Sequence, residues 1–163
     1  KLLSLNGHYI RQADSQYLTD LVMPHVETSL NGELADEAAT RIMNGMGGLK
    51  ERAKTILELA EKSAFYAKKR PLIPDDKAKK QLDGEALDHL KRLRKDLGAL
   101  DEWTLANIEE VTRQFAETKE IKLGKAAQPL RAALTGTTVS PGIFEVIEVL
   151  GKTETLGRLD DVL

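Results

Sequence analysis

The amino-acid sequence predicts an all-α, multihelical protein made of two helical subdomains, residues 1–74 and 75–163. Apolar residues recur three and four apart along most of the chain, as a helix with one buried face requires. No run alternates with period two for long enough to make a strand. The segment Arg70-Pro71-Leu72-Ile73-Pro74 cannot be helical interior, because each proline pushes its preceding residue toward an extended conformation, and so it separates the two groups of helices.

The elements follow in order. Leu2, Leu3, Leu5, Tyr9 and Ile10 form an apolar start that Asn6-Gly7 breaks with a turn signal, which predicts a short helix, a turn and then an exposed Arg11. Ser15 is the expected N-cap of a helix carrying Leu18, Leu21 and Val22, which Pro24 should end or kink. From Glu33 to about Met46, Leu34, Ala38, Ile42 and Met43 keep helical spacing, and Gly45, Gly47 and Gly48 should stop the segment. The next helix, roughly Leu49 to Ala67, places Ala53, Ile56, Leu57, Ala60 and Ala64 on one face and Lys50, Arg52, Lys54 and Lys62 on the other. Beyond the prolines, Leu87, Leu90, Leu93 and Leu97 mark a strongly charged helix closed by Gly98. Thr104 caps a helix with Leu105, Ile108, Val111 and Phe115, and Trp103 and Ile108 have the spacing of a hydrophobic staple. A helix starting near Pro129 stops at Gly136. Ser140 as N-cap and Pro141 at the first helical position then open a last helix, with Ile143, Val146, Ile147 and Leu150 on its buried face and Gly151 at its end.

Composition removes several classes of chemistry. With 163 residues, 41% of them hydrophobic, the chain can build an ordinary core without staples. Cysteine is absent, which excludes disulfides, thiolate metal sites and cysteine nucleophiles. His8, His25 and His89 lack metal-ligand spacing, so no metal site is expected. No serine has the flanking glycines of a nucleophile elbow, and no glycine-rich loop ends in the Lys-Ser or Lys-Thr of a P-loop. Asp75, Asp76, Asp101 and Glu102 fall at element starts, where they complement helix dipoles. No apolar run approaches the roughly 20 residues of a membrane helix, and the N-terminus lacks a secretory layout, so a cytoplasmic location and no membrane partner are expected. Lys1 lies directly inside an apolar pattern, as in a piece of a longer chain.

A net charge of −2 argues against wholesale wrapping of nucleic acid, and 4% aromatic residues argue against a base-stacking sheet. Charge is nevertheless uneven. From Ile121 to Phe144 the chain carries Lys122, Lys125 and Arg131 and no acid. There a tight Thr-Gly-Thr-Thr-Val loop joins two helices, so the start of the second, with its orphan N–H groups and partial positive charge, should fall near Arg131. That geometry suits phosphate, carboxylate or the acceptor edge of a nucleobase. Read alone, Arg131 is a helix-surface arginine, Arg52 belongs to a solvated helix face, and Lys122 and Lys125 either solubilise the loop or lie along an RNA backbone.

Four segments, "KLLSLNGHYIR" at the start, "ERAKTILELAEKSAFY" from Glu51, "DEWTLANIEEV" from Asp101 and "IKLGKAAQPLRAALTGTTVSPGIFEVIEVLGKTETLGRL" from Ile121, resemble in order the C-terminal anticodon-binding region of bacterial-type glutamyl-tRNA synthetases. The resemblance implies a two-part all-helical cage without catalysis of its own, carried beyond a nucleotide-binding domain and a stem-contact domain of the same parent chain. Neither the HIGH nor the KMSKS signature of the class I catalytic domain occurs here. The parent would join glutamate to tRNA with ATP and magnesium, cofactors that belong to those other domains and not to this chain. The partners implied are glutamate tRNA and, in some members of the family, glutamine tRNA; a monomer is expected.

The same resemblance assigns residues. The arginine of the "QPLRAALTG" motif, which reads the first anticodon base, corresponds to Arg131, and its partners in the loop and helix start correspond to Ser140, Pro141, Gly142 and Ile143. The family often has Thr where Ser140 stands, so a backbone contact survives there and a methyl contact does not. In the "ERAKTI" motif the arginine that reads the third anticodon base corresponds to Arg52. The rival is a helical protein-interaction or structural domain without RNA specificity. Salt separates the two, because RNA binding weakens with a log-log slope of about −0.7 per phosphate neutralised on a single strand.

Overall fold

The computed structural model of the chain describes residues 7–163. The apolar start at Leu2, Leu3 and Leu5, with Asn6 of the expected turn, lies outside the described residues. Among the described residues regular structure is helical throughout, apart from one isolated bridge between Leu34 and Lys68. They fall into two compact units, one up to Lys69 and one from Arg70 to Leu163.

The first unit holds α1 (Gly7–Gln12), α2 (Ser15–Ser29), α3 (Ala38–Leu49) and α4 (Ile56–Ala67). α2 packs on both α3 and α4 through Leu18, Val22 and Val26, which meet Ile42, Met46, Leu49, Ile56 and Leu59 in a core from which water is excluded. Each such side chain contributes about 1.5–3 kcal/mol by leaving water. The cap of α2 is Asp14 and not Ser15: its carboxylate accepts the backbone N–H groups of Gln16 at 3.0 Å and Tyr17 at 3.2 Å. Pro24 does not end α2. It sits with Asp20 on the exposed side, where water can solvate the carbonyl that proline leaves without a donor, while the opposite side stays packed.

Two further departures shape this unit. α3 starts at Ala38 because Leu34 and Ala35 pair with the end of α4, the Ala35 N–H reaching the Ala67 carbonyl at 2.8 Å. Gly45, Gly47 and Gly48 lie inside α3 rather than after it. A Cβ on Gly45 would stand 2.7 Å from the buried Tyr66 ring, so glycine is what lets α3 approach α4. The continuous helix expected from Leu49 to Ala67 is broken by a 3₁₀ turn, Lys50–Arg52, followed by extended Ala53. Thr55 then caps α4, accepting the Glu58 N–H at 3.0 Å, while the Glu58 carboxylate accepts the Lys54 N–H at 2.7 Å. This variant of a capping box places Arg52 on a turn and not on a helix face.

The second unit begins with the Arg70–Pro74 segment and continues through α5 (Asp76–Lys79), α6 (Glu85–Gly98), α7 (Leu105–Lys119), α8 (Leu123–Thr135) and α9 (Ile143–Val162). α8 is central, packed by α5, α6, α7 and α9. Its Ala126, Leu130, Ala132, Ala133 and Leu134 are all buried, which is the composition of a helix enclosed on several sides. It starts six residues before Pro129, at Leu123, and carries the proline within it. Gly136 ends it in the left-handed conformation, φ 75°, as expected. Gly151 breaks the helical geometry of α9 at φ 82° and ψ 165°, a region open essentially to glycine alone. Near that break the Ile147 carbonyl accepts from Trp103 Nε1 at 3.0 Å and from the Thr155 hydroxyl at 3.3 Å. Trp103 therefore has a hydrogen-bonding task beside any stapling one.

Candidate nucleic-acid interface

The end of α8 and the loop after it hold Arg131, half-buried, in a defined setting. Arg131 Nε donates to the Ser140 hydroxyl at 2.9 Å, and that hydroxyl donates to the Pro141 carbonyl at 2.7 Å. Ser140 is thereby committed to the arginine and is not a helix cap; α9 begins at Ile143 with Gly142 as a cap that makes no side-chain hydrogen bond. Inside the loop the Thr135 hydroxyl donates to the Arg131 carbonyl at 2.7 Å and accepts the Thr137 N–H at 3.1 Å, and the Thr137 hydroxyl donates to the Val139 carbonyl at 2.8 Å. The Asp75 N–H closes on the Gly136 carbonyl at 2.9 Å, so the Pro-rich segment braces the loop from outside.

Of the residues predicted from sequence, Arg131, Ser140, Pro141, Gly142 and Ile143 are brought together here. Pro141 is partly exposed and Gly142 exposed, whereas the Ile143 side chain belongs to the core. Lys122 and Lys125 are exposed at the opposite end of α8, about 13 Å and about 9 Å from Arg131 at 1.5 Å per helical residue. Arg52 belongs to the first unit, exposed on its 3₁₀ turn, and among the described residues its guanidinium makes no ion pair or hydrogen bond.

Comparisons with known proteins identify the family. The family model described as an anticodon binding domain matches residues 17–163. The chain belongs to the anticodon-binding domain family. It is similar to glutamate–tRNA ligase 2 of Paramagnetospirillum magneticum, 49% identical over 164 residues, with 100% of this chain and 34% of the relative covered. Glutamate–tRNA ligase 2 of Zymomonas mobilis is 51% identical over 163 residues, again with 100% of this chain and 34% of the relative covered. A crystal structure of a glutamate tRNA ligase from Elizabethkingia meningosepticum, in complex with its amino acid, superposes with a TM-score of 0.76 at 26% identity, covering 96% of this chain and 30% of that one. The chain thus spans about a third of the length of the curated relatives it matches.

Within this anticodon-binding domain, two side chains that shape the Arg131 site escape the sequence reading. Arg158, 1% exposed, donates from Nε to Glu154 and from Nη1 to the Leu134 carbonyl, both at 2.7 Å. Its charge sits at the carbonyl end of α8, where a cation is favoured, and fastens α9 to the root of the loop. The signal available was Glu154 four residues before Arg158 on the same helix. Gln128 lies one helical turn before Arg131, and its Oε1 is buried without a hydrogen-bond partner. A buried acceptor left open costs about 1–3 kcal/mol, a burden that a bound donor would relieve. Among the described residues no helix is long and apolar enough to cross a membrane.

Proposed function

We propose that this chain reads the anticodon of glutamate tRNA within a glutamate–tRNA ligase. The observation that carries the reading is Arg131, whose guanidinium is anchored through Nε to Ser140 at the mouth of a hydrogen-bonded loop. A guanidinium held in one orientation matches an acceptor-rich base edge, and such contacts discriminate by about 1–3 kcal/mol by analogy with duplex readout. Arg131 takes the first anticodon base, with Ser140, Pro141, Gly142 and the backbone of Ile143 forming the rest of the pocket. Arg52 takes the third base. Lys122 and Lys125 run along the RNA backbone at the far end of α8. Unstacked loop bases are the usual target of sequence-specific RNA readers.

The parent enzyme joins glutamate to tRNA in a cytoplasmic, ATP-dependent and magnesium-dependent reaction; glutamine tRNA is a second substrate where the third position is tolerated. ATP and magnesium belong to the other domains of that parent.

Fluorescence anisotropy with a glutamate-tRNA anticodon stem-loop, against loops altered singly at the first and third anticodon bases and at two salt concentrations, tests the reading. Tightest binding to the native loop, with a steep salt dependence, is expected. Equal binding to all loops, or binding indifferent to salt, would overturn it in favour of a protein-interaction domain.

A further inference from the structure

We infer that Arg11 is a ligand for RNA backbone phosphate, and that α1 and the 3₁₀ turn of Arg52 together form one polyanion-binding patch in the first unit. The inference rests on the anticodon reading above and adds a residue to it. α1 packs directly on the turn. Their contact is close: a Cβ on Gly7 would stand 3.4 Å from the Ala53 carbonyl oxygen and 3.8 Å from Lys54 Cα, and 2.9 Å from Arg11 Nη1. The Arg11 side chain therefore folds back along α1 to the point where the backbone after Arg52 passes. At the other end of the short helix, Lys50 Nζ donates to the Ala13 carbonyl at 3.0 Å and ties the same turn down.

The patch carries an excess of cations whose charged groups are unpaired. Arg11, Arg52 and Lys54 are exposed, and among the described residues none of their charged groups makes an ion pair or hydrogen bond. Three acids lie among these cations, Asp14, Glu51 and Glu58, against Arg11, Lys50, Arg52 and Lys54; the Glu58 and Asp14 carboxylates are turned to the backbone N–H groups of Lys54 and of the start of α2. Holding like charges together opposes folding, and that repulsion is relieved when a polyanion arrives. A base offered to Arg52 necessarily brings its flanking phosphates, and Arg11 is the cation that tertiary structure, not sequence, carries to that place.

The division of labour predicts different signatures. A phosphate contact carries no base information, so its loss weakens binding to every loop alike and lowers the salt slope. The test is anisotropy of the 163-residue chain with the native and base-altered stem-loops across a salt series, for the parent sequence, Arg11→Gln and Arg11→Lys, with thermal melts in parallel. Arg11→Gln is expected to weaken all loops several-fold by the same factor, to reduce the magnitude of the slope by about 0.7 and to leave base discrimination intact. Arg11→Lys should restore most of the slope, since lysine also binds phosphate as a point charge. If the parent sequence discriminates bases but Arg11→Gln changes neither affinity nor slope, this inference fails and the anticodon reading stands. If Arg11→Gln alters discrimination with the slope unchanged, the phosphate role is wrong. If the parent sequence neither discriminates nor responds to salt, both readings fail.

Discussion

Arg131 and Arg52 are both assigned to anticodon bases, yet the protein holds them in opposite ways. Arg131 is half-buried, carried by α8 and anchored to Ser140 across a loop whose threonines bond to one another, with the buried Arg158 at the loop's root. Arg52 stands exposed on a 3₁₀ turn with no partner for its guanidinium among the described residues. A long side chain immobilised on binding loses up to about 2 kcal/mol of rotamer entropy. The anchored arginine has lost part of that on folding and can spend its binding on geometry; the exposed one must be ordered by the RNA. Under the proposed function, the difference teaches that one domain combines a rigid reader with an adaptable one, and that tolerance at a base position belongs with the second.

The largest effect is expected beneath the rigid reader. Arg158→Met strips the partly buried Glu154 carboxylate and the Leu134 carbonyl of this cation, and should destabilise the second unit by about 3 kcal/mol. Urea unfolding followed by the single tryptophan, Trp103, reads this, and an unchanged midpoint would break the claim that the Arg131 loop is held from below. Next come the readers themselves. Arg131→Ala should remove about 1–3 kcal/mol of discrimination at the first base, and Arg52→Ala less than that at the third, both measured as binding ratios on altered loops; the reverse order would invert the comparison. Ser140→Ala removes the anchor but leaves the guanidinium, so a loss of about 0.5–1.5 kcal/mol at the first base is expected, with Ser140→Thr close to the parent. Equal discrimination in Ser140→Ala would show that the hydrogen bond does not orient the arginine.

The smallest effect concerns acid. Arg70 and Asp161 bond through two N–H···O contacts of 2.9 Å, and Arg94 and Asp160 through contacts of 2.8 and 3.1 Å. The hydrogen bonds from the guanidinium groups, ahead of their charge, hold both carboxyls below the usual carboxylate range. A lowered folded-state pKa means the contribution is complete above the unfolded value near 3.9 and drains as pH falls from about 4 through the lowered value. Both pairs are well exposed, so each contributes no more than about 1 kcal/mol. Melting curves taken down through the carboxylate range should show Asp161→Asn with a flatter acid limb in the second unit.

Much of this was legible in the sequence. Apolar residues at helical spacing identified the helices, Thr104 was read as a cap and is one, accepting the Asn107 N–H at 3.2 Å, and Gly136 was read as an end. What misled was punctuation. Pro24 signals an end or a kink and Pro129 a helix start, but both lie inside helices. Gly45 looked like a stop but is a contact point for Tyr66. Ser140-Pro141 looked like a helix start, while the serine hydroxyl is engaged by an arginine nine residues earlier. In each case a local preference of about 1–3 kcal/mol yields to the burial of whole side chains across elements.

The sequence by itself determined that the protein is helical and that Arg131 sits in a stretch free of acids, because periodicity and charge are local properties. Only the tertiary structure decided which cations are anchored and which stand free, how Arg158 supports the loop, and that Arg11 arrives beside the turn of Arg52. Those depend on which elements pack together, and packing is settled by contacts between residues far apart in the chain.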